Sequence, residues 1–156
     1  MTHLLDYQPL NLYTNYQEAA EKTPTVPIIF DESLPAFPAL GLETTYGESH
    51  QEILKRAYQL AALGVKKGDK IIIYKSPKFD TYLLAVAASY LAAVPVMVSY
   101  HLPFETIEVF VDRLEDPYIL FDDVTAEKVQ AVRNSSDNKK LSVASLLEAD
   151  ATEVPQ

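Results

Sequence analysis

The chain has 156 residues and a net charge of -9, from 13 Lys plus Arg against 22 Asp plus Glu. That size fits one domain, and that charge disfavours a nucleic-acid partner, whose phosphates need surplus Lys and Arg. No cysteine is present, which excludes a disulfide framework, a thiolate nucleophile and a cysteine-ligated metal. Its four glycines, at 41, 47, 64 and 68, form neither GxGxxG nor a GxxxxGK loop, so the usual phosphate cradles are absent.

In chain order, Tyr13 to Lys22 predicts a short helix, with Tyr13, Tyr16, Gln17 and Ala20 on one face. Thr23-Pro24 stops it. Val26 to Phe30 predicts a short strand, residues 32–42 a loop with two prolines, and Glu43 to Tyr46 a second short strand placed to pair with the first. Thr45-Tyr46-Gly47-Glu48 has the spacing of a capping box. A helix with an apolar stripe through Ile53, Leu54, Ala57, Tyr58, Ala61 and Ala62 follows, and Gly64 stands where a left-handed cap belongs. Ile71 to Tyr74 is a continuous apolar strand. Ser76-Pro77 has the pattern of an N-cap and first turn, opening a buried helix over 79–92. Pro95 to Val98 is the next strand, with Val96–Val98 expected to be buried. Pro103 opens a helix to Leu114, Tyr118 to Phe121 is a strand, Thr125 to Arg133 a helix, and Leu141 to Leu147 a last short element.

The run from Thr81 to Phe104 carries no charge over 24 residues, long enough to span a bilayer. Pro95, Pro103, Ser89, Ser99 and His101 break it, so the reading is a buried helix followed by a strand. No secretory signal opens the chain, and a cytoplasmic protein is expected. The alternation of strands and helices, with near-continuous apolar strands, predicts an α/β fold with a largely parallel sheet and flanking helices. A short N-terminal helix and hairpin-like strands precede that sheet. Residues 1–148 form one unit, and 149–156 read as a linker-like tail.

In open parallel sheets, ligands bind beyond the carboxyl ends of the strands. Three stretches fall there: Lys75-Ser76-Pro77-Lys78, Ser99-Tyr100-His101 and Asp122-Asp123. Asp122-Asp123 could complement a helix start, or hold magnesium or accept phosphate in a receiver-like signalling domain. His101 lacks a nameable orienting partner, which a general base needs. Lys66-Lys67 reads as a solvated turn. His3, His50 and His101 have no metal-ligand spacing.

As a block, residues 12–125 resemble the start of the adenylate-forming, AMP-binding enzymes: acyl-CoA synthetases, peptide-synthetase adenylation domains and luciferases. Thr45-Tyr46-Gly47-Glu48 is similar to that family's "TYxEL" segment. Leu63 to Asp69, LGVKKGD, is similar to "LGVxxGD" and is fairly specific. Ala92-Ala93-Val94-Pro95-Val96 approximates "AGAVxVP", with Ala93 read as standing in for the glycine, and Ser49 replaces the usual leucine after Glu48.

The resemblance implies the N-terminal subdomain of an AMP-forming carboxylate ligase, non-catalytic by itself. The parent would use ATP and Mg, and coenzyme A in one branch. The family's nucleotide loop, magnesium motif, ribose-binding aspartate and catalytic lysine would all lie beyond Gln156, so no catalytic or metal residue is assigned here. In the coenzyme A branch, the loop matching Ser99, Tyr100 and His101 lies near the thiol cofactor, although the glycines frequent there are missing. Expected partners are the remaining subdomains, with a homodimer as a further candidate assembly. The alternative is a stand-alone, non-catalytic binding or interaction module.

Overall fold

A computed structural model describes residues 12–150. Helix α1 (Leu12–Lys22) leads into an antiparallel ribbon of β1 (Pro27–Ile29) and β2 (Glu43–Thr45). Helix α2 (Tyr46–Ala62) follows, then β3 (Lys70–Tyr74), α3 (Asp80–Tyr90), β4 (Val94–Met97), α4 (Phe104–Leu114), β5 (Tyr118–Phe121), α5 (Ala126–Ala131), β6 (Lys140–Ser142) and α6 (Val143–Glu148). The main sheet has the order β4-β3-β5-β6 with all pairs parallel. The expected parallel α/β architecture is therefore present, with its N-terminal helix and hairpin.

Alternation along the strands sorts the core into two layers. Ile71, Ile73, Leu120 and Leu141 face α2 and α3. Ile72, Tyr74 and Ile119 face α4 and α5 through Ile107, Val111 and Val129. Helix α3 is apolar all round and is wrapped on every side, so Leu83 through Ala88 have no exposure at all. Among the described residues, no helix is long and apolar enough to cross a membrane.

The capping box forms by half. Thr45 Oγ1 accepts from the Glu48 amide at 3.1 Å, but the Glu48 carboxylate accepts from Thr44 Oγ1 instead of reaching back to the Thr45 amide. Gly64 has φ +108, and a Cβ there would meet the Tyr118 hydroxyl at 2.9 Å. Ser49, in the place of a leucine, is fully buried and hydrogen-bonded to the Tyr16 hydroxyl, so α1 satisfies the polar group it covers. Desolvation pushes the Tyr16 phenol up to about 12.

Three expectations are corrected. The strand 96–98 is not buried: Met97 is 50% exposed and Val96 and Val98 are half-buried, because β4 is the sheet's edge and has β3 on one side only. Ser76-Pro77 does not cap α3, which starts at Asp80; the Ser76 side chain turns to Asp122 instead. The left-handed residue after α3 is Ala92, at φ 58, so the glycine-favouring position is Ala92 and not Ala93. The last expected element, 141–147, divides into β6 and α6, and the tail beyond Asp150 lies outside the described residues.

Strands β4 and β1, each at the edge of its own sheet, carry a proline at an informative register. Val94 N donates to Asp69 O and Val98 N to Ile73 O, so β4 amides at even positions face β3 and Pro95 stands at an outward one. In the ribbon, Phe30 N donates to Leu42 O and Tyr46 N to Val26 O, which places Pro27 outward in the same sense. These two edges thereby lack a donor that an incoming strand would need, whereas the opposite edges, β6 and β2, carry no proline.

Candidate functional site

The chain leaves β3 toward β4 on one side and returns to β5 on the other. The carboxyl ends of β3 and β5 therefore flank a switch point, where open α/β sheets place ligands. Two of the sequence-predicted stretches meet here, and their side chains bind one another. Asp122 Oδ2 accepts from the Ser76 amide at 3.1 Å and from the Ser76 hydroxyl. Its Oδ1 accepts from the Val124 amide at 3.1 Å. Thr125 Oγ1 donates to Tyr74 O at 2.6 Å, tying α5 to the end of β3.

Beneath this lies an ion pair of which the sequence reading named Lys75 but not its partner Asp80. Lys75 Nζ reaches Asp80 Oδ1 at 2.5 Å, with side chains 1% and 0% exposed, and it lies 4.0 Å from Asp122 Oδ2. The lysine also donates to Ser76 O and Thr81 Oγ1. A buried pair survives desolvation only when its remaining donors and acceptors are matched, and here they are. The signal in the sequence was faint: a lysine closing an apolar strand and an aspartate opening an apolar helix.

Asp80 extends the network into the loop after β1. Its Oδ2 accepts from the Ala36 amide at 3.1 Å, while Arg56 Nε donates to Ala36 O at 2.7 Å. The Arg56 guanidinium lies over the Phe37 ring, 5.2 Å from its centroid. Burial pushes its pKa down, and Glu52 pulls it the other way.

The third stretch lies apart from this network, beyond β4. Ser99 and His101 are exposed and Tyr100 is half-buried. Ser99 Oγ accepts from the His101 amide at 3.2 Å, and the Tyr100 and His101 rings lie 3.9 Å apart. Lys128 Nζ donates to Tyr100 O at 2.8 Å, and Tyr74 Oη donates to Leu102 O. This loop is held by its backbone, which leaves the serine and histidine side chains facing outward. Among the described residues no carboxylate orients the His101 ring, and no cluster of three His, Cys, Asp or Glu could hold a metal.

Among the described residues, no glycine-rich phosphate cradle lies at these strand ends. Gly41, Gly47, Gly64 and Gly68 all lie away from the carboxyl ends of β3 and β5, and the Asp122 carboxylate is engaged on both oxygens. Asp123 is exposed and Asp122 is internally bonded, an arrangement that suits neither a phosphate acceptor nor a magnesium ligand set.

What the fold and site define is an α/β scaffold whose strand-end side chains Ser76 and Asp122 bond to one another, beside a hollow of about 200 Å³ lined by Asp122, Asp123 and Ser142 among others. The model of the AMP-binding enzyme family matches residues 16–156, and the chain belongs to that family. It is 33% identical over 110 residues to the 3-amino-2-hydroxy-4-methoxybenzoate diazotase of Streptomyces cremeus, a match covering 70% of this chain and 20% of that one. The fold is similar to a long-chain-fatty-acid-CoA ligase from Archaeoglobus fulgidus, with TM-score 0.76 and 18% identity, covering 96% of this chain and 32% of that one. It is also similar to the N-terminal domain of FACL13 from Mycobacterium tuberculosis, with TM-score 0.72 and 20% identity, covering 94% and 37%. At these identities the structural likeness speaks for the fold alone. The chain spans about a fifth of the curated relative and about a third of the solved ones.

Proposed function

We propose that this chain supplies the N-terminal α/β subdomain of an AMP-forming carboxylate ligase. The parent would activate a carboxylate with ATP and Mg, release pyrophosphate and pass the acyl group to a thiol. The chain's own role is architectural: it contributes one wall of the larger domain and carries no catalytic residue. One observation supports this above the rest, namely a family match over 16–156 on a scaffold whose Lys75, Ser76, Asp80 and Asp122 side chains are bonded to one another. Ser99 and His101, exposed beyond the carboxyl end of β4, would with Tyr100 face the thiol cofactor, and the remaining subdomains are the partners. The setting is the cytoplasm.

The test is exchange of labelled pyrophosphate into ATP by the purified chain with a panel of carboxylic acids. Background exchange is expected; robust exchange overturns the architectural role. Reading the coding sequence downstream is the complementary measurement. A frame continuing into a Ser/Thr/Gly-rich loop with a lysine supports the ligase, and a stop codon directly after Gln156 supports a stand-alone module.

A further inference from the structure

The amino ends of β3 and β4 carry a hollow larger than the one beside Asp122. Val65, Lys66 and Lys67, which lead into β3, and Tyr90 and Leu91, which lead into β4, are among the residues lining a space of about 560 Å³. It lies where α2 and α3 finish. Both lysines are exposed, and among the described residues neither ammonium belongs to an ion pair. The nearest acid in sequence, Asp69, turns its carboxylate to the Lys66 amide at 3.0 Å. Apolar walls beside two uncommitted positive charges suit an apolar group joined closely to a carboxylate.

The chain itself brings such a segment to this place. Gly47 N, at the start of α2, donates to Pro24 O, just past the end of α1, at 3.0 Å. The other end of α1 meets the end of α3: the Tyr13 ring packs edge-on against Tyr90, with centroids 4.7 Å apart. Tyr90 is also a wall of the hollow, so the polypeptide enters α1 beside it. Eleven residues, MTHLLDYQPLN, precede Leu12 and lie outside the described residues. They include Leu4-Leu5 followed directly by Asp6, the one carboxylate before Glu18. At about 3.3–3.6 Å per residue, Asp6 can stand up to ~20 Å from Leu12, while Tyr90 is already in contact with Tyr13.

We propose that the chain's own segment Leu4–Asp6 fills this hollow, with the leucines on Val65, Tyr90 and Leu91 and the Asp6 carboxylate at Lys66 and Lys67. The proposal rests on the hollow and the segment and is independent of the ligase reading; pyrophosphate exchange bears on that reading and not on this one. The chain has no cysteine, so a pair can be introduced into the full chain without competing thiols. In the variant Leu5→Cys, Lys67→Cys, mild oxidation in dilute solution is expected to give an intramolecular disulfide, read by mass and by mobility without reductant. Adding Leu4→Ser should slow its formation roughly tenfold, for loss of a buried leucine. Adding Asp6→Lys should slow it roughly threefold, as for an exposed ion pair reversed, and Lys66→Glu on top of that should restore it. Lys66 and Lys67 are exposed, so their replacement leaves the core untouched. A disulfide formed only between two copies puts another molecule's segment in the hollow and overturns the proposal. So does the absence of any disulfide, or a rate indifferent to Leu4→Ser and to the charge swap, which a merely tethered segment would show.

Discussion

Strands β3 and β4 are both short apolar runs, KIIIY and VPVM, yet they live in different environments. Ile71, Ile72, Ile73 and Tyr74 have no exposure, whereas Val94 is 48% and Met97 50% exposed. The difference is one of order in the sheet. β3 has a strand on either side and helices on both faces, while β4 has one neighbour. Burial therefore follows position, and composition alone could not have separated the two.

The largest effect expected from breaking that contrast lies where β3 ends. Asp80→Ala leaves the Lys75 ammonium buried without its partner, which should cost about 3–5 kcal/mol. Chemical denaturation should show it as a lower midpoint. The double variant Lys75→Met, Asp80→Leu should recover most of the loss, since an apolar pair needs no partner. A single variant as stable as the parent chain would mean that the pair is solvated.

Next comes a matched truncation of the two strands. Ile72→Ala should cost about 2–5 kcal/mol, the range for a fully buried isoleucine. Met97→Ala should cost about 1 kcal/mol or less, as for a half-exposed side chain. Equal losses at the two positions would place another polypeptide on the β4 edge.

Ala92 sharpens the comparison from the other direction, because it holds a left-handed conformation on the way into β4. A Cβ in that region costs about 1–2 kcal/mol, partly offset by the unfolded-state freedom that glycine adds. Ala92→Gly should thus stabilise the chain by a net ~0.5–1 kcal/mol, read as a raised thermal midpoint. A lowered midpoint would show that the strain is relieved elsewhere.

The smallest effect is in pH dependence. Burial raises the Tyr74 phenol above its ordinary value, and β4 carries no titratable side chain. A raised folded-state value means that the unfolded chain loses its proton first. Stability is then full below the unfolded value, near 10, and falls as pH rises through the folded one. Tyr74→Phe should flatten part of the alkaline loss measured by denaturation, while the variant starts lower for want of its bond to Leu102 O. An unchanged alkaline slope would count against burial of that phenol.

What the sequence made legible was local. Periodicity located α2, β3, α4 and β5, and the LGVKKGD turn was recognisable because Gly64 is needed for its backbone and for room beneath Tyr118. What it hid was set by contacts between distant segments. Ser76-Pro77 has the pattern of a helix cap, but Asp122, 46 residues away, takes the serine. The candidate site was half visible: the strand ends carrying Ser76 and Asp122 were placed, but nothing in one dimension showed that these two side chains would bind each other. The buried Lys75–Asp80 pair was hidden for the same reason. The exposure of β4 required the strand order, which no local pattern encodes.

The grip on Ala36 has a kinetic consequence. Its amide and its carbonyl are held by two charged groups from different helices, Asp80 and Arg56, and the residue has no exposure. Freeing the loop at that point exposes both charges at once, so this stretch cannot fray in small steps. Its peptide should exchange hydrogen for deuterium as slowly as the central strands do, and the loop opens only when the whole cooperative unit opens.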